Sequence, residues 1–170
     1  MSPIASSDIK YRLSGGGSNS DPNASLGGAK SSTEVTDNVD NNLFDDVSGA
    51  EHTAGDVEYR CIYVHNGHGS LTLLSAVVWI QSDTSGADSD ISIGVGSAAV
   101  NGSEQSIANE SAAPADVSFS DAAVSRATGL ALGDIPAGQH KAVWIRRTIS
   151  AGSTPQAADT CSVQAGGDTL

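Results

Sequence analysis

Period-two alternation of apolar and polar residues dominates this chain. In DVEYRCIYV, residues 56–64, Val57, Tyr59, Cys61 and Tyr63 share one face, and Glu58 and Arg60 fall on the other. That is the pattern of a half-buried strand. LTLLSAVVWI, residues 71–80, is apolar on both faces. Its β-branched Val77, Val78 and Ile80, with Thr72, predict a central strand rather than a short buried helix. ISIGVG (91–96) aligns Ile91, Ile93 and Val95, and KAVWIRRTI (141–149) predicts another clear strand. Shorter or weaker strands are predicted at Ile9–Leu13, within NLFDDVSGAE (42–51), at Val117–Phe119 and within DTCSVQAGG (159–167). GLALGDIPAGQH has turn chemistry on both sides of Ile135. No stretch of about 10–15 residues has a helical period.

About seven or eight short strands with turns between them predict an all-β fold, an antiparallel β-sandwich of Ig-like or jelly-roll-like type, over residues 41–170. Residues 1–40 differ. SGGGSNSDPNASLGGAKSST is rich in Gly, Ser and Asn and could not nucleate a core by itself. An extended Gly/Ser-rich N-terminal arm is expected there, with the Ile9–Leu13 alternation as a strand or anchor.

Charge sharpens this picture. The 170 residues carry a net −12: −6 over 1–56, −5 over 57–110 and −1 over 111–170. Direct nucleic-acid binding needs clustered Lys and Arg and is not expected. The acidity reads as solubility and an outward-facing surface. No apolar run approaches the roughly 18 residues of a membrane span, and the start MSPIASSDIK lacks the pattern of a secretory signal.

The candidate chemistry is sparse. VHNGHGSL (64–71) places His65 and His68 around Asn66-Gly67, a favoured hairpin pair, so both histidines are expected at a turn. A zinc site needs three or four ligands; His52 and His140 are isolated, and no Cys or H-E-x-x-H motif completes a set. The acidic loop with Asp83, Asp88 and Asp90, and the pair Asp45-Asp46, lack calcium-loop spacing and read as solvated. Cys61 reads as a small buried hydrophobe and Cys161 as more polar in setting, with a disulfide between them left open. Trp79 and Trp144 are expected in the core, the alternative being an exposed platform for sugar stacking. Arg146 and Arg147 point to opposite strand faces, so one is available to an acid inside the fold or at an interface. The Gly-rich stretches lack a phosphate-loop motif, and no G-x-S-x-G elbow is present. No residue is nominated as catalytic, cofactor-binding or metal-binding, and no cofactor or enzymatic activity is expected.

Three stretches together resemble small virion structural proteins of tailed bacteriophages: SDIKYRLSGGGSNSDPNASLGGAKSSTEV, NLFDDVSGAEHTAGDVEYRCIYVHNGHGSLTLLSAVVWI and GLALGDIPAGQHKAVWIRRT. The resemblance implies a non-enzymatic particle component, made in the host cytoplasm and located in the virion. A capsid decoration (cement) protein is the first expectation, with the arm lying across neighbouring subunits. Its expected partners are the major capsid protein, other virion proteins and further copies of itself, with no membrane. A neck, tail or baseplate adaptor is the alternative, and a carbohydrate-binding or adhesion module a third.

Overall fold

The computed structural model describes residues 2–156 and 159–169; Met1 of the expected arm and Ala157, Ala158 and Leu170 of the expected sandwich lie outside the described residues. Among the described residues the chain is nearly all β. In chain order the strands are β1 (Ile9–Leu13), β2 (Gly27–Gly28), β3 (Asp56–Asn66), β4 (Leu73–Ser82), β5 (Ser89–Val95), β6 (Glu104–Ser106), β7 (Leu130–Ile135), β8 (His140–Ile149) and β9 (Ser162–Asp168). They form a four-stranded sheet β1-β3-β8-β5, a three-stranded sheet β7-β4-β9 and the small pair β2-β6, all antiparallel. No helix among the described residues is long and apolar enough to cross a membrane.

The two larger sheets share one core, a sandwich-like arrangement. Ile62, Val64, Ile93, Val143 and Ile145 come from the four-stranded sheet; Leu73, Val78, Ile80, Leu132 and Ile135 come from the three-stranded one. The four-stranded sheet is also covered on its outer face. There Cys61, Tyr63, Ala142 and Trp144 pack beside Tyr59 of the same sheet and against Ile107, Val117 and Phe119. Burial on both faces corrects the reading of β3 as half-buried: Glu58 and Arg60 are 2% and 0% exposed. Alternation tells the two faces apart but does not say that one of them meets water.

The cover is built from the Gly/Ser-rich segment and from residues 96–120. The Tyr63 hydroxyl donates to Gly28 O (2.5 Å) and accepts from Glu104 N (2.9 Å), fastening β2 and β6 to the sheet. Gly27 has φ +91°, and a Cβ there would stand 1.8 Å from Gln105 O, so only glycine fits. The segment expected as an extended arm is thus packed on the body. β1 pairs with β3 from Ile9↔Asn66 to Leu13↔Ile62. Its other edge is closed by Leu13 N to Thr33 O (3.0 Å), Ser31 N to Leu13 O (2.8 Å) and Val35 N to Tyr11 O (2.9 Å). Low-complexity composition suggested a free arm, but its small side chains let backbone lie close to the sheet. Its serines then satisfy buried polar groups, as Ser14 Oγ does in accepting from Gly27 N at 3.0 Å.

Other expectations also change. NLFDDVSGAE holds no strand; it leads into α1 (Gly49–Ala54). Ser48 Oγ accepts from Glu51 N (3.3 Å), the Glu51 carboxylate accepts from Ser48 N (2.5 Å), and Gly55 at φ +78° ends the helix. Val117–Phe119 lie outside any strand, and Ser120 makes only an isolated bridge to Ile93. A strand, β7, occupies the stretch expected as turn before Ile135, with register shifts where it meets β4. Asn66-Gly67 is not a hairpin turn, because β3 and β4 belong to different sheets. Instead, buried Asn66 donates to Leu71 O (2.8 Å) and Ile135 O (2.9 Å) and accepts from His68 N (3.1 Å), which fixes the crossing between sheets.

Candidate functional site

One end of the sandwich is closed by charge. The register sets Glu58 opposite Arg147, with Arg60 one step further along the same inner face. Arg147 Nε donates to Glu58 Oε2 (2.6 Å), and its Nη1 donates to Asp45 O (2.8 Å). Arg60 Nη2 donates to Glu110 Oε2 (2.5 Å) and Arg60 Nε to Leu43 O (3.2 Å). Both guanidiniums lie against the Phe44 ring, at 5.4 Å for Arg60 and 4.8 Å for Arg147. Burial raises the Glu58 carboxyl above its ordinary value although Arg147 pulls the other way. Asp45, Glu58 and Glu110 bring ligand oxygens within 4.8 Å of one another. Arg147 and Arg60 donate to the Glu58 and Glu110 carboxylates, and the Asp45 carboxylate stands 3.6 Å from Arg147 Nη2 and 3.9 Å from Arg60 Nη2, so the trio reads first as an ion-pair network.

A groove of about 860 Å³ opens beside this cluster, between residues 38–47 and the approach to β9. Arg147, His52, Asp88, Asp159 and Cys161 are among its lining residues. The aspartates here brace loops. Asp83 Oδ1 accepts from Thr84 N (2.7 Å) and Ile91 N (3.1 Å), and Asp88 Oδ2 accepts from Thr154 N (3.0 Å). Asp159 accepts from Gly86 N (3.0 Å), from Ser85 Oγ (3.2 Å) and from Ser89 Oγ. Burial works against the charge on Asp159, but these donors prevail and hold its carboxyl below the ordinary range. Asp90 goes the other way: burial and then Asp83 push its carboxyl up. The acidic loop is therefore tied down by its own carboxylates, with Asp83 and Asp88 spent on backbone N–H groups.

The histidines separate into different roles. His68 stays in the turn. Its Nδ1 accepts from Ser70 N (3.1 Å) and Leu71 N (3.0 Å), which makes Nε2 the protonated nitrogen, facing Ser2 O at 3.2 Å. His65 is not in the turn; it lies inside β3, directly opposite His140 of β8. Their ring centroids are 6.5 Å apart, and the His140 ring meets Tyr63 edge-on at 4.8 Å. His52 Nδ1 lies 2.6 Å from Ser153 Oγ, tying α1 to the chain after β8. The pairing of His65 with His140 was hidden in the sequence, because it depends on the β3–β8 register across 75 residues.

The remaining residues take structural positions. Trp144 is fully buried, but Trp79 is not core: it is half-buried on the outer face of the three-stranded sheet. It lies beside Gly166, and its Nε1 donates to Gln81 Oε1 (2.9 Å). Arg146 and Arg147 do point to opposite faces; Arg146 sits 5.2 Å from the Phe119 ring, outside the sheet. Both cysteines are free, Cys61 buried and Cys161 exposed. Burial drives the Cys61 thiol far up, and crowding in the groove, then the Asp83 and Asp159 charges, push Cys161 up to about 11.

Compared with protein-family models, with curated proteins and with solved structures, the chain matches none.

Proposed function

We propose that this chain is a non-enzymatic structural component of a tailed-phage virion, a capsid decoration protein that binds the major capsid protein and neighbouring copies of itself. The sequence resemblance suggests the particle; the asymmetry of the two sheets is the observation that carries the reading. The four-stranded sheet is built over on its outer face. The three-stranded sheet presents Val77, Trp79, Ala131 and Gly133 outward, and they keep some exposure. One open, low-relief sheet face with a single large aromatic is a docking surface of the kind an interface core uses.

The sandwich is read as jelly-roll-like rather than Ig-like. β3 pairs with β8 and β4 with β7, so the pairs nest like one long hairpin folded over, with successive pairs in opposite sheets. Jelly rolls serve as capsid and lectin domains, which is support by fold analogy only. Contact through the open sheet replaces the arm as the attachment device, since β1 and residues 31–35 are engaged within the chain.

Microscopy of purified particles labelled with an antibody to this chain tests the reading. Label over the heads, at a copy number on the order of hundreds, is expected. Label confined to the neck or tail, at about six to twelve copies on ring symmetry, would make it an adaptor instead. Absence of label from every particle would overturn the virion reading and leave the glycan-binding module, which the partly exposed Trp79 favours.

A further inference from the structure

The outer face of the four-stranded sheet gathers positive charge at the end away from the Arg60–Arg147 cluster. Lys10, His65 and His140 form one cross-strand row, and Arg12 stands beside Tyr63 in the next. Lys30 approaches over them from the segment that follows β2, which the Tyr63 hydroxyl pins through Gly28 O. The sequence has only eight Lys and Arg and four His, against twenty acids. Five of those twelve meet here.

Glu34 is the carboxylate that answers them, 3.7 Å from Lys10 Nζ and 3.1 Å from Arg12 Nη2. Among the described residues, Lys30, His65 and His140 make no ion pair. Arg12 Nε, His65 Nδ1 and His140 Nδ1 are closed off from solvent with no well-formed hydrogen bond, although the backbone of Gln139 approaches the His65 ring and that of Gly102 the His140 ring. Burial first, and then the Lys30 charge, keep both imidazoles below their ordinary value of 6.5. Burial, then Arg12, likewise lower the Lys30 ammonium. Three cations less one carboxylate leave this end of the sheet at +2 when both histidines are neutral. A metal ion would add to that charge, whereas an anion would offset it.

We propose that Lys30, His65 and His140, with Arg12 behind them, bind an oxyanion of the phosphate type. Its negative charge offsets the +2, and its oxygens accept from the Lys30 ammonium and from imidazole N–H groups. A dianion suits this balance better than a single carboxylate. The site stands apart from the sheet face invoked for docking, so the inference does not depend on the virion reading.

Imidazole NMR on the whole, histidine-labelled chain tests it, with inorganic phosphate titrated at constant ionic strength. The His65 and His140 signals should move together along one saturating curve while His52 and His68 stay still. Lys30→Met should weaken that binding about tenfold or more, as expected for one lost charge-assisted hydrogen bond, and Lys30→Arg should retain it. Acetate at the same ionic strength should not saturate the site. Still His65 and His140 signals, a linear drift of all four histidines, or equal saturation by acetate would each overturn the proposal.

Discussion

At the residue scale, buried charge governs what this fold tolerates. Glu58 depends on Arg147 for its counter-charge, so Arg147→Met strands a carboxylate inside the sheet. The expected cost is about 3–5 kcal/mol, read from urea unfolding. The two tryptophans differ in the same way. Trp144→Ala empties a sealed site and should cost about 3–5 kcal/mol, whereas Trp79→Ala should cost about 1 kcal/mol. Equal losses would contradict their placement on opposite sides of the sandwich. The thiols give a chemical check: a thiol reagent should reach Cys161 slowly in the native chain and Cys61 only after unfolding. Protonation follows the histidines. Their lowered folded values mean that the stability they contribute is present above 6.5 and is lost as pH falls through those values. Glu58 has the opposite sign: its raised value gives stability that is present below 4.5 and is lost as pH rises through the folded value. The urea midpoint should therefore drop as pH falls below about 6.5 in a phosphate-free buffer, and His65→Gln with His140→Gln should flatten that drop.

At the element scale, the first forty residues decide whether the body folds. They supply β1, β2 and part of the cover over Tyr63, so the chain lacking residues 1–40 should give no cooperative unfolding transition. A truncated chain that unfolds cooperatively would restore the picture of a separable arm. Gly27→Ala is the point version of this test, because the added methyl meets Gln105 O. Its circular-dichroism melt should fall well below that of the parent. The α1 helix was legible and missed: Ser48-x-x-Glu51 is a capping box, and Gly55 stops the helix. The short strand β7 was hidden by its turn-like residues, which pairing with β4 overrides.

At the scale of the whole molecule, one surface should carry attachment. On the proposed virion reading, Trp79→Ala should leave the fold intact yet remove the chain from particles, measured by the amount that co-sediments with them. Undiminished co-sedimentation would turn attention from the three-stranded sheet to the groove beside Arg147. Local pattern by itself determined that this protein is antiparallel β, because side-chain alternation is a property of neighbouring residues. It also put Trp144 and Cys61 inside and sent Arg146 and Arg147 to opposite faces. Only the tertiary structure decided which face of β3 meets which layer, and it turned Glu58 and Arg60 from surface charges into the closed end of the core. The same holds for His65 and His140: 75 residues apart in the chain, they become neighbours through the β3–β8 register. Pairing over such distances depends on the layers and crossings of the whole chain, which no local period encodes.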